Sequence, residues 1–104
     1  MGGREFDSNG VKKMYELIVK TMQEVAEMQG KKIGSTVTMD SVLLDIGLDS
    51  LSYAILVVEL ETKIGFDPFQ LESAPIYPVT MREFVALYEK HQLAQWERLD
   101  REMV

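Results

Sequence analysis

Residues 43–61 read LLDIGLDSLSYAILVVELE. Two aspartates, Asp45 and Asp49, lead to a lone serine, Ser50, and an almost wholly apolar run follows. Gly65 and then Pro68 stop that run, so a helix is predicted from about Ser50 to Lys63 or Ile64. On a wheel of about 100° per residue, Tyr53, Leu56, Val57, Leu60 and Ile64 share one face. Leu51, Ala54, Ile55 and Val58 share the opposite one. A helix apolar on two sides is either buried all round or has a partner. The larger face is read as core, and the Leu51/Ala54/Ile55/Val58 stripe as a contact surface beside Ser50.

Ser50 has two readings. As the residue that caps the helix it would contribute about 1 kcal/mol to stability. If Asp49 caps instead, Ser50 falls in the first turn with its hydroxyl exposed. A phosphate attached there would meet the positive end of the helix dipole and its unsatisfied N–H groups.

Upstream, Val11, Met14, Ile18, Met22, Val25 and Met28 recur at three- and four-residue steps, predicting an amphipathic helix from about Gly10 to Gln29. Asp7, Ser8 or Asn9 can cap its start and Gly30 can end it, leaving residues 1–9 as a flexible N-terminus. The segment GKKIGSTVTMDSVLLDIGLD is long for a connection without structure of its own. One helical turn is expected between Met39 and Leu44, with Leu43, Leu44, Ile46 and Leu48 pinning the loop to the core. A hairpin at IGSTVTM is the competing reading, but no second strand offers to pair with it.

Downstream, FQLES reads as a short third helix, and SAPIYPVT, with Pro75 and Pro78, as a rigid connector. Thr80 followed by Glu83 is a capping box that opens the last helix. Phe84, Val85, Leu87 and Tyr88 supply its core face. Met81, Val85, Tyr88, Gln92, Trp96, Leu99 and Met103 continue the pattern, predicting a helical extension over residues 92–104. The fold class is therefore all-α: a small bundle of three main helices and a short one.

With 104 residues, 46% of them hydrophobic, the chain makes one domain with a core. No apolar run is long enough to span a bilayer, so no membrane insertion is expected. No signal peptide is apparent and there is no cysteine, which excludes a disulfide framework and points to a cytoplasmic protein. A net charge of −6 argues against nucleic acid. All of that excess lies in residues 37–75, where Asp40, Asp45, Asp49, Glu59, Glu61, Asp67 and Glu72 face Lys63 alone. Such a segment is either a solubilising surface or a docking face for basic partners, steered at long range and weakened by salt.

Competing chemistries fail on spacing. A calcium loop counted from Asp45 would put Ser50 where glycine is needed and Leu56 where a bidentate glutamate is needed. GKKIGST lacks the spacing of a phosphate-binding loop, and the sole histidine, His91, has no triad partner near it in sequence. The chain is not read as an enzyme, and no metal site is expected.

Gly47, Leu48, Asp49, Ser50 and Leu51 form a Gly-x-Asp-Ser-Leu run at the start of a helix, and in this the chain resembles the acyl carrier proteins. The likeness covers roughly residues 11–91 and is concentrated in residues 43–60. It implies an acyl-carrier-like four-helix bundle, monomeric. A phosphopantetheinyl transferase would attach 4′-phosphopantetheine, taken from coenzyme A, covalently to Ser50. Acyl chains would ride as thioester cargo on that arm, presented to acyl-transferring or acyl-modifying enzymes of fatty-acid, lipid or related biosynthesis. Asp49 and Leu51 would contact the transferase, and Ala54, Ile55, Val58 and Glu61 would lie on the docking side. Fatty-acid carriers commonly carry an acid where this chain has Ile55, and residues 92–104 run past the family's usual end. Both departures imply a specialised carrier. The rival from another class is an unmodified helical adaptor binding partners through Leu51, Ile55 and Val58.

Overall fold

A computed structural model describes residues 2–34 and 36–103, with side chains described for 10–34 and 36–95. Among the described residues four α-helices follow in order: α1 (Gly2–Met28), α2 (Ser50–Ile64), α3 (Pro68–Leu71) and α4 (Met81–Met103), with a 3₁₀ turn at Leu43–Asp45. No strand forms among the described residues, only an isolated antiparallel bridge between Val42 and Thr80. The all-α reading holds, and the hairpin alternative at IGSTVTM does not.

Helix α1 is the central post, packing on both α2 and α4. Its buried positions Met14, Ile18, Met22, Val25 and Ala26 follow the spacing seen in the sequence. It begins earlier than expected: residues 2–9 belong to the helix, so Asp7, Ser8 and Asn9 lie within it and do not open it. Its end is where the sequence puts it. Gly30 takes a left-handed conformation (φ 69°), and the Lys31 N–H closes back on the Ala26 carbonyl at 2.7 Å.

The crossover to α2 is held from two sides. The Tyr15 hydroxyl of α1 donates to the Val37 carbonyl at 2.6 Å. On the far side, the Met81 and Arg82 N–H groups at the start of α4 donate to Ser41 and Met39 carbonyls at 2.9 and 2.8 Å. Helix starts leave such N–H groups without intrahelical partners, so loop and helix satisfy one another. The expected turn falls at Leu43–Asp45, slightly later than predicted. Leu43, Ile46 and Leu48 are buried as anticipated, but Leu44 is 76% exposed. The 3₁₀ turn explains the difference, because it points adjacent residues in different directions.

Helix α2 buries Leu56 and Leu60 fully. Tyr53, Val57 and Ile64 are half-buried on the same side. Helix α3 starts with Asp67 as cap, its carboxylate accepting from the Phe69 N–H at 2.9 Å, and Pro68 in the first turn. Phe66, Phe69, Phe84 and Tyr88 cluster with ring centroids 5.1–6.4 Å apart and tie α3 to α4. The capping box forms: the Thr80 N–H donates to Glu83 at 3.1 Å and the Glu83 N–H to the Thr80 hydroxyl at 3.3 Å. Phe84, Val85, Leu87 and Tyr88 are all buried. Packing of Trp96, Leu99 and Met103 lies outside the described residues.

Candidate functional site

Asp49 settles the question posed by Ser50. It is the cap of α2, with extended backbone (φ −94°, ψ −178°), and its Oδ1 accepts from the Ser52 N–H at 2.8 Å. Ser50 is therefore the first helical residue, and it is exposed. The cap is reinforced from outside the helix. Lys31 Nζ lies 2.5 Å from Asp49 Oδ2, and the Ser52 hydroxyl reaches Oδ1 at 2.8 Å. These three donors, Lys31 first and then the N–H and hydroxyl of Ser52, hold the Asp49 carboxyl far below the usual carboxylate range.

Ser52, fully buried, is a polar residue inside the core face of α2. Its hydroxyl also meets the side-chain amide of Gln29. One hydroxyl carries one proton, so both contacts are satisfied when the proton goes to Asp49 and the Gln29 NH₂ faces Ser52. No local pattern announces this role, since on the helical wheel Ser52 is a polar residue between two apolar faces.

The glycine of the motif has its own geometry. Gly47 adopts φ 117°, a region that side chains rarely enter, and a Cβ there would stand 3.1 Å from the Lys32 carbonyl. Beside it the Gly34 N–H donates to the Ile46 carbonyl at 2.9 Å. The start of the crossover thus runs directly against residues 46–49.

Ser50 stands on the edge of an apolar cavity of about 850 Å³. Tyr53, Ala54 and Val57 of α2 form one wall, and Phe69 of α3 and Phe84 of α4 close another part. The Tyr53 hydroxyl donates to the Leu43 carbonyl, fixing that ring, and burial pushes its phenol up to about 12. The two connectors complete the walls, Leu44 from one and Ile76, Tyr77 and Val79 from the other. Tyr77 is 81% exposed, so these residues spend large apolar surface on the rim. Sequence reasoning missed these lining residues. The available signal was a proline-flanked connector, APIYPV, that cannot be helical and yet carries three large apolar side chains.

The proposed docking residues divide. Leu51, Ala54 and Val58 are exposed in one line on α2, Leu51 by 63% and Val58 by 59%, and Glu61 is exposed beside them. Ile55, beside them, is half-buried and packs against the core. The acids of residues 37–75 are less free than the sequence implies. Asp40 pairs with Arg82 at 3.0 Å, Asp49 with Lys31, and Glu72 with Lys90 at 2.9 Å and His91 at 2.6 Å, while Asp67 caps α3. His91 is thereby spent on a link between the end of α3 and α4.

Among the described residues no cluster of three or more His, Cys, Asp or Glu side chains could hold a metal, and no helix is long and apolar enough to cross a membrane. Compared with known protein families, curated proteins and solved structures, the chain has no match.

Proposed function

We propose that the chain is an acyl carrier whose cargo arm, 4′-phosphopantetheine, is attached at Ser50. The observation that carries this reading is the exposed Ser50 at the first turn of α2, among the residues lining the 850 Å³ apolar cavity. The residues fit the group. An exposed serine leaves room for a phosphodiester, and the helix start supplies N–H groups and a positive dipole end for its charge. The adjoining cavity lies in the size range of small-molecule sites.

In the transfer, the Ser50 oxygen forms a bond to the pantetheine-bearing phosphorus of coenzyme A. The pyrophosphate bond breaks, adenosine 3′,5′-bisphosphate leaves, and the serine proton passes to the transferase. The arm supplies the thiol that holds an acyl group as a thioester. The chain itself contributes placement: Asp49 fixes the turn, Leu51 and Val58 offer an apolar contact beside it, and Tyr53, Val57, Phe69 and Phe84 provide a dry wall for cargo. Each CH₂ buried there contributes roughly 0.8 kcal/mol, so a loaded acyl chain stabilises the folded state.

A second reading, an unmodified adaptor, is favoured by the exposure of Leu51 and Val58 alone. Incubation with coenzyme A, Mg²⁺ and a promiscuous phosphopantetheinyl transferase separates the two. The carrier gains one arm, lost in Ser50→Ala. If no arm is added under conditions that modify a control carrier, the adaptor reading takes its place.

A further inference from the structure

Both oxygens of the Asp49 carboxylate are engaged within the chain. Oδ1 takes the N–H and the hydroxyl of Ser52, each at 2.8 Å, and Oδ2 takes the Lys31 ammonium at 2.5 Å. The Lys31–Asp49 pair is at the surface, with side chains 37% and 56% accessible, but both partners of Asp49 spring from anchored backbone. The Lys31 backbone is fixed by its bond to the Ala26 carbonyl, one residue after left-handed Gly30. Ser52 is fully buried and held by Gln29, which lies in the same turn that ends α1. Two tethers therefore run from the end of α1 to Asp49 and Ser52, the residues on either side of the turn that carries Ser50.

We propose that Lys31 and Ser52 are positioning residues for Ser50, and that Asp49 acts inward on the first turn of α2 instead of outward on the modifying enzyme. The inference rests on the carrier reading, and it differs from the role that the family resemblance assigns to Asp49. The physical case has two parts. A bare carboxylate next to Ser50 would repel an incoming phosphate, and the Lys31 ammonium offsets that charge. Rotating the Asp49 carboxylate outward, away from the Ser52 N–H and hydroxyl, would uncap the helix that presents the serine.

The two roles predict opposite signs for one substitution. With Asp49 acting inward, Lys31→Ala slows transfer of the arm to Ser50 by about twofold, the effect of losing an exposed ion pair that braces the cap, and Lys31→Arg restores most of the rate. Asp49→Asn, which keeps a capping oxygen, retains more activity than Asp49→Ala. With Asp49 acting outward, Lys31→Ala frees the carboxylate and speeds transfer, and Asp49→Asn is as damaging as Asp49→Ala.

Amide hydrogen exchange at the Ser52 N–H gives a readout independent of any transferase. It should quicken in Lys31→Ala and in Ser52→Ala, return to the parent rate in Lys31→Arg, and change little at Leu60 in the core. Faster transfer in Lys31→Ala, or unchanged exchange at Ser52, overturns the proposal. If the parent protein accepts no arm at all, the carrier reading fails by itself, and the exchange data still decide whether Asp49 is tethered inward.

Discussion

The carbonyl of Lys32 sits 3.1 Å from the place a Cβ would occupy on Gly47. The first residues after α1 thus lie directly against the turn that leads into α2. Gly47 serves two demands at once, a positive φ of 117° and a backbone neighbour so close that a side chain would push it aside by a few tenths of an ångström. Gly47→Ala should lower stability by about 1–3 kcal/mol, the usual cost of strained backbone. Urea denaturation measures it, and an unchanged midpoint would mean that neither the positive φ nor the close Lys32 carbonyl constrains this position.

The two faces of α2 should respond very differently to truncation. Leu56 has no exposed surface, so Leu56→Ala should cost about 2–5 kcal/mol. Val58 is 59% exposed, and Val58→Ala should stay within about 0.5 kcal/mol. Comparable losses at both positions, in thermal or chemical melts, would show that the stripe is covered in solution.

Much of this arrangement was legible in the sequence, for local reasons. The period of α1, the stop at Gly65 and the reciprocal pair Thr80 and Glu83 each depend on residues within one or two turns. So did the choice at the head of α2, narrowed to Ser50 or Asp49. The rest depends on distant parts of the chain. Ser52 is buried because Gln29 and Asp49 satisfy it, and no pattern within α2 announces partners 23 residues away. Leu44 and Tyr77 come together at one cavity because two irregular connectors fold over the same end of α2, where no periodicity exists to be read.

Tyr88 is fully buried, and its hydroxyl has no hydrogen-bond partner among the described residues. Burial, with the Asp67 and Glu61 carboxylates nearby, pushes the phenol well above an ordinary tyrosine. Removing an unpaired buried hydroxyl is neutral or favourable, so Tyr88→Phe should leave stability unchanged or raise it by about 1 kcal/mol. A clear loss in melting temperature would mean that the hydroxyl is bonded in solution.

Acid should weaken the fold in a defined window. Glu83 is held below the usual carboxylate range by the N–H groups of Val79 and Thr80, and Glu72 by Lys90 and His91. A carboxyl depressed in the folded state contributes its full stabilisation above its unfolded pKa, about 4.3 for glutamate, and loses it as pH falls through the lower folded value. Urea midpoints should therefore hold from pH 7 to about 5 and drop below about 4. The gap between the parent and Glu83→Gln should shrink over the same interval. A gap that persists at pH 2 would contradict this assignment.

The most direct test is a fragment mass spectrum of the peptide containing Ser50, from protein isolated from its native cells. The account predicts that Ser50 carries a phosphopantetheine ester, part of it bearing an acyl thioester whose mass reports the cargo. A Ser50 peptide found only at its unmodified mass, in cells whose other carriers are modified, would contradict it.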